Sequence, residues 1–428
     1  MKKAYQLIVF CLALLLLACN PKPHHKKGTS LAPERLALID SLIEASVANQ
    51  QIPGAVVLVA KDNEVVYKKA FGVKNPETQA AYQTNDIFRI ASMTKAITSL
   101  GVILLWEKGL VDFDDPIEKY IPEFEGIGLL ETFNAKDSTF SVKAIDKKIT
   151  VRHLLTHTSG MGYDFIDPNP KIRAIYAKEK QTFMPGGVIG FSTDDVTIET
   201  TIKHLAKLPL HHLPGEEFTY AVGLDVLGYL IELVSNKPLD QYFKEAIFDP
   251  LEMHDTYFYL PDDKVSRLVP VLTKKEDQWV FFEDDRYDIN YPAKGAKRFF
   301  SGGGGLSSTV DDYYNFLSLF ANEGKFKNRQ ILGKMTVDLL FKDQIGATLK
   351  ADYFNMGQGL AFGVVREQEY TKGGLGSVGT GYWGGYFNTG YFVDPEQKLI
   401  GIIYKQTQNV SENSTTLFNR LIFSAVVP

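Results

Sequence analysis

Cysteine is almost missing from this chain. Of 428 residues only Cys11 and Cys19 carry a thiol, so neither a disulfide framework nor a cysteine metal site is open to the rest of the sequence. The one strongly apolar run near the start, residues 7–17, is too short to span a bilayer stably. Basic runs are lacking after residue 30 and the formal net charge is −5, which argues against a nucleic-acid partner. No serine has glycines two residues away on both sides, and that removes the strained elbow of an α/β-hydrolase. His153 and His157 have the i, i+4 spacing of a zinc helix, yet Leu154 stands where the glutamate of His-Glu-x-x-His belongs. Both read as structural histidines, and no metal is expected. Internal repeats and linker-like stretches are also lacking from residues 31–428. At 45% hydrophobic residues overall, one two-lobed unit of that length can build a large core without crosslinks.

What is present begins with Lys2 and Lys3 ahead of the apolar run, which closes at Ala18-Cys19-Asn20. A basic start and a short apolar core describe a secretory signal over residues 1–18. The ending Leu16-Leu17-Ala18-Cys19 resembles the bacterial lipobox, in whose precursors the cysteine is lipidated and becomes the mature N-terminus. That resemblance implies an exported lipoprotein, membrane-anchored through Cys19 and facing the periplasm or the exterior of a bacterium. Residues 19–30, polar, Pro-rich and basic, read as a flexible tether in which His24-His25 are solvated.

From Leu31 a domain begins. Pro33 suits a first helical turn, and Leu36, Ile39, Ile43 and Val47 keep one face apolar. Residues 55–60 and 64–67, around a turn at Lys61-Asp62-Asn63, read as an antiparallel hairpin. Residues 391–393 and 399–404 flank Asp394-Pro395-Glu396-Gln397 as a second, and a last helix covers residues 415–426. Helical patterns and long loops dominate between them. The expected fold is α+β: one antiparallel sheet built from both termini (residues 31–85 and 301–428) with a mainly helical lobe (86–300) inserted.

Chemistry concentrates at Phe88-Arg89-Ile90-Ala91-Ser92-Met93-Thr94-Lys95, the only place where a serine is followed three residues later by a lysine. The residues that follow are apolar and end at Gly109, a buried helix with a stop. One turn apart on a helix, the Lys95 amine would lie near the Ser92 hydroxyl, and a hydroxyl is a poor nucleophile until something takes its proton. A motif of such common residues arises by chance about once in a chain of this length. The flanking sequence has to decide.

Phe88–Lys95, together with residues 149–160 (ITVRHLLTHTSG), Pro214-Gly215 through Tyr220 to Leu227-Gly228, Asp249-Pro250-Leu251-Glu252-Met253 and Ser301-Gly302-Gly303-Gly304-Gly305-Leu306, closely resembles the serine hydrolases of the class C β-lactamase family. The likeness runs from about Leu31 to Ile403. It implies a β-lactamase/transpeptidase-like fold with the active site between a helical lobe and a sheet. It also implies Ser92 as the acylated nucleophile, Lys95 as its neighbouring base, and Tyr220 as the group shuttling protons. The family's third motif would fall on Trp383-Gly384-Gly385, where glycines let substrate lie close against the strand. The N–H groups of Ser92 and Tyr386 would then form the oxyanion hole. An upstream stretch, Gly373–Thr380, offers a competing register.

Two positions depart from the β-lactamase pattern. Val222 stands where those enzymes carry an asparagine that holds the substrate amide, and Trp383 where they carry a lysine facing a carboxylate. Valine offers no hydrogen-bonding group and indole no charge, so both polar handles for a penicillin-like substrate are gone. The resemblance therefore points to the esterase branch, acting on small esters without a cofactor. D-amino-acid peptidase action on peptidoglycan-type peptides, weak β-lactamase action and a catalytically silent binding module are the alternatives. The oligomeric state is not legible.

Overall fold

The computed structural model describes residues 30–185, 188–284, 287–346, 349, 356–373 and 376–428. The expected signal sequence, Cys19 and nearly all of the tether lie outside the described residues. The tether's last residue, Ser30, lies inside them: it pairs with Val427 in a two-residue ribbon, so the fold begins one position before the expected boundary.

After a short turn of helix led by Pro33, the helix α1 (Leu38–Ala48) buries Ile39 and Ile43. The strands β1 (Gly54–Lys61) and β2 (Glu64–Asn75) follow as the first hairpin, with β3 (Ala80–Ala81) beyond. The rest of the main sheet comes from the far end of the chain: β4 (Gly357–Gln358), β5 (Gly363–Val364), β6 (Gly381–Gly385), β7 (Thr389–Asp394) and β8 (Leu399–Tyr404). The order is β4-β5-β6-β7-β8-β1-β2-β3, antiparallel throughout. This is the α+β arrangement expected, with strands from both termini meeting at the β8–β1 pair.

Every residue of β1 is buried, and the period of two allots them to two cores. Val56, Leu58 and Ala60 face the large core shared with the inserted lobe. Ala55, Val57 and Val59 face a smaller one against α1 and the C-terminal helix, where Ile39, Ile43, Phe418 and Ile422 close it. Burial on both faces is why β1 reads as an unbroken apolar run rather than an alternating one.

In the inserted lobe, α2 (Thr94–Glu107) is buried from Thr94 through Leu105, as an all-round apolar helix must be. It crosses α3 (Gly223–Ser235) at Gly101, where a methyl group would sit 2.9 Å from Ile231 Cδ1. The lobe also carries two antiparallel hairpins, residues 128–144 and 272–281. α4 (Val310–Ala321) packs across the sheet, and α5 (Ser414–Ala425) covers its other face. The α5 N-terminus is tied to the end of β8 by buried Lys405, which donates to Glu412, to Ser414 Oγ (3.0 Å) and to Thr415 Oγ1 (2.8 Å).

Candidate active site

The segment leading to Ser92 is fixed on two sides. Phe88 and Arg89 pair with Ser308 and Ser307, and the Gln406 side chain clamps the other edge, accepting from Arg89 N–H (2.8 Å) and donating to Arg89 C=O (3.3 Å). The Arg89 guanidinium is buried and donates to the carbonyls of Tyr291 and Val269. Ala91 then adopts φ +46°, a left-handed conformation that costs a non-glycine residue about 1 kcal/mol or more, and turns the chain into the first turn of α2. Ser92 sits on that turn, partly exposed to the cleft.

Two groups converge on its oxygen. Tyr220 O–H donates to Ser92 Oγ at 2.7 Å, and Lys95 Nζ lies 3.4 Å from the same atom. Lys95 is 4% exposed; its ammonium donates to Gly303 C=O at 2.6 Å and lies 4.8 Å from the Tyr220 ring centroid and 5.7 Å from that of Tyr163. The Tyr220 ring stacks on Tyr163 (5.9 Å) and packs at a tilt against His157 (4.6 Å) and Trp383 (5.9 Å).

The third motif is on β6. Trp383, Gly384 and Gly385 pair with Tyr391, Gly390 and Thr389, so this is the strand beside the cleft. In the competing stretch, Gly373, Gly376 and Gly379 all have positive φ and form turns; Gly374-Leu375 lie outside the described residues. Gly385 is required by space: a Cβ there would clash with Ile90 C=O and Thr389 Oγ1. Tyr386, next in the chain, lines the same cavity as Ser92. A cavity of about 660 Å³ opens over these groups, lined by Ser92, Tyr220, Trp383, Tyr386, Ile166 and Met356 among others.

Val222 does not reach it. Expected to face substrate, Val222 is fully buried in the large core, its N–H donating to Gly162 C=O at 3.3 Å; an isopropyl group is stabilised there by leaving water. The histidines also find ordinary partners. His153 completes a capping box with Thr150, and His211 pairs with Asp167 (2.9 Å). His212 bonds Leu213 C=O and Thr219 Oγ1. His157 is buried, and desolvation together with the Lys95 charge holds its imidazole well below the usual range, hence neutral.

Residues 39–422 match the family model described as Beta-lactamase. The chain belongs to the beta-lactamase family. This beta-lactamase-family chain is 27% identical over 375 residues to Esterase EstB of Burkholderia gladioli, covering 84% of its own length and 87% of that protein. It is 29% identical over 332 residues to the Monacolin J acid methylbutanoyltransferase of Aspergillus terreus, covering 74% and 73%. Among solved structures, EstCE1, a hydrolase with promiscuous acyltransferase activity, superposes with a TM-score of 0.78 at 24% identity, covering 91% of this chain and 99% of that one. That last likeness is one of fold: the β-lactamase/transpeptidase-like α+β architecture expected from the sequence.

Two groups at the site escaped the sequence reading. The Gly303 carbonyl receives Lys95, and Asp225 stands behind it. The Ser301–Leu306 stretch signalled its own importance by its glycines; Asp225, inside an apolar helix, gave no local sign beyond its charge.

Proposed function

We propose that this chain is a serine hydrolase that cleaves small esters through an acyl-enzyme on Ser92. The observation that carries this reading is the 2.7 Å Tyr220–Ser92 bond with Lys95 Nζ 3.4 Å from the same oxygen. In the reactive form the Tyr220–Lys95 pair is one proton short, so Ser92 Oγ attacks the ester carbonyl carbon while its proton passes to that pair. The N–H groups of Ser92 and Tyr386 receive the developing oxyanion. When the carbon–oxygen bond breaks, the same proton goes to the departing alkoxide and the alcohol leaves. Water then attacks the acyl-enzyme, gives a proton back through the pair, and releases the acid. The Lys95 ammonium above the Tyr220 ring favours negative charge on that phenol as the proton moves.

The substrate class follows from the walls. Trp383, Tyr386, Ile166 and Met356 present apolar surface, which suits an acyl or alcohol group better than a charged antibiotic. The likeness to an esterase by name supports the same choice, and the likeness to a methylbutanoyltransferase supports an alcohol taking water's place as acceptor. With the polar handles of a β-lactamase missing, kcat/KM for a short-chain p-nitrophenyl ester is expected to exceed that for nitrocefin by about 100-fold or more, since each lost hydrogen bond to a charged or buried group costs about 1.5–3 kcal/mol. Comparable rates on the two substrates would reverse the assignment in favour of a β-lactamase.

We further propose that the protein is an exported lipoprotein held to a membrane by acylated Cys19. Support comes from the run Leu16-Leu17-Ala18-Cys19 and the polar tether behind it. Full-length protein made in a bacterial host is expected to partition into the detergent phase of Triton X-114, and Cys19→Ser into the aqueous phase. Equal partitioning of the two would remove the anchor from the account.

A further inference from the structure

The Ser301–Leu306 turn is pinned to the helices beneath it along its length. Thr98 Oγ1 donates to Gly302 C=O (2.6 Å), Lys95 Nζ to Gly303 C=O (2.6 Å), and Leu306 N–H to Thr94 Oγ1 (3.1 Å). From α3, one oxygen of Asp225 accepts from Ser301 Oγ (2.5 Å) and from Gly303 N–H (3.0 Å). Asp225 is fully buried, and its second oxygen, Oδ2, has no hydrogen-bond partner among the described residues. Space for that oxygen exists because residue 303 is glycine; a Cβ there would clash with Oδ2. Desolvation raises the Asp225 carboxyl above its usual range, and the Lys95 charge, with the bonds from Ser301 and Gly303, opposes that rise and favours the carboxylate. Its place in the first turn of α3 adds the favourable end of the helix dipole.

We propose that Asp225 is a positioning residue of the ester-cleaving site. It locks the Ser301–Gly303 turn so that the Gly303 carbonyl holds Lys95, and its buried, half-satisfied carboxylate supplies the negative charge that acts on that ammonium. The inference rests on the serine-hydrolase reading above. The other titratable groups that feel Asp225 are Tyr163, Tyr291 and Asp164. Burial raises both phenols well above their usual range, so they stay neutral; Asp164, pushed up to about 7 by desolvation, titrates within the working window and needs its own control.

The test is the pH dependence of kcat and kcat/KM for p-nitrophenyl butyrate on wild type, Asp225→Asn, Ser301→Ala and Asp164→Asn. Asparagine keeps the acceptor for Ser301 and Gly303 but removes the charge. With the anion gone, the cation beside it gives up its proton more readily, so the low-pH limb of kcat/KM is expected to move down by about one pH unit. In the same variant kcat should fall about 10-fold or more with KM within about two-fold, the pattern of a misplaced proton-transfer group. Ser301→Ala, which loosens the turn and keeps the charge, is expected to lower kcat about three-fold or more and to leave the limb where it is. A limb unmoved in Asp225→Asn, or moved as far in Asp164→Asn, overturns the proposal. Should Asp225→Asn not fold, Ser301→Ala decides through its rate of fluorophosphonate labelling at Ser92: slower labelling supports the locked turn and an unchanged rate refutes it. Failure of wild type itself to hydrolyse the ester would instead strike the serine-hydrolase reading, so the two failures are distinguishable.

Discussion

Ser92→Ala is expected to abolish labelling by a fluorophosphonate probe and to lower kcat/KM for ester hydrolysis by at least about 10⁴-fold, the scale of losing a nucleophile from a site whose other groups remain. The fold should survive. Ser92 is partly exposed and, among the described residues, its oxygen bonds only the Tyr220 hydroxyl and the Lys95 ammonium, so the substitution leaves no core cavity. The Tyr220 hydroxyl would turn to water in the cleft. Thermal unfolding within a degree or two of wild type, alongside lost labelling, is the expected pair of measurements. Labelling of the variant at the wild-type rate would mean the reactive serine lies elsewhere.

The second large effect is at the proton-transfer pair. Tyr220→Phe and Lys95→Ala should each lower kcat by about 10²–10⁴-fold, the usual worth of positioned acid–base groups. The two differ in what else they disturb. Phenylalanine keeps the ring contacts with His157, Tyr163 and Trp383, so its loss reads as chemistry alone. Removing Lys95 also leaves the Gly303 carbonyl without its donor and the Asp225 carboxylate without its facing cation, so stability should fall as well. Because both residues serve one proton path, the double variant should be hardly worse than the poorer single one. Steady-state rates on p-nitrophenyl butyrate check this. Near-normal turnover by either single variant would sink the scheme.

Much of this site was legible in sequence for a physical reason. Ser92 and Lys95 are one turn apart, and Trp383-Gly384-Gly385 lie on one strand, so local spacing alone sets their relations. The hairpins at both ends were legible from β-branched runs around turn residues, though β2 runs on to Asn75, well past Glu64–Tyr67. Its later residues read as polar because Lys68 and Lys69 point to water and reach Asp311 and Asp40 across 243 and 29 residues of sequence. The 128–144 hairpin was read as part of a helical lobe; a register shift between Leu130 and Thr132 breaks the alternation that would have revealed it. Val222 misled because the resemblance put a ligand-facing residue at a position where this chain places core. Asp225 stayed hidden because its partners, Ser301 and Gly303, lie 76 and 78 residues away, and only the folded chain brings them together.

The meeting of both termini in one sheet has a consequence in time. β1 is flanked by β2, next in sequence, and by β8, which is made far later in the chain. The nucleophile and its lysine emerge early, but Tyr386 follows Ser92 by about 300 residues. At ribosomal speeds of roughly 5–20 residues per second, that interval is about 15–60 s. Throughout it the buried apolar strand β1 has one partner and an open edge. Such long-range pairing is slow to form and exposed to aggregation while it waits. In the proposed mechanism the nascent chain has no oxyanion site, and turns over no ester, until the strands on either side of Tyr386 dock.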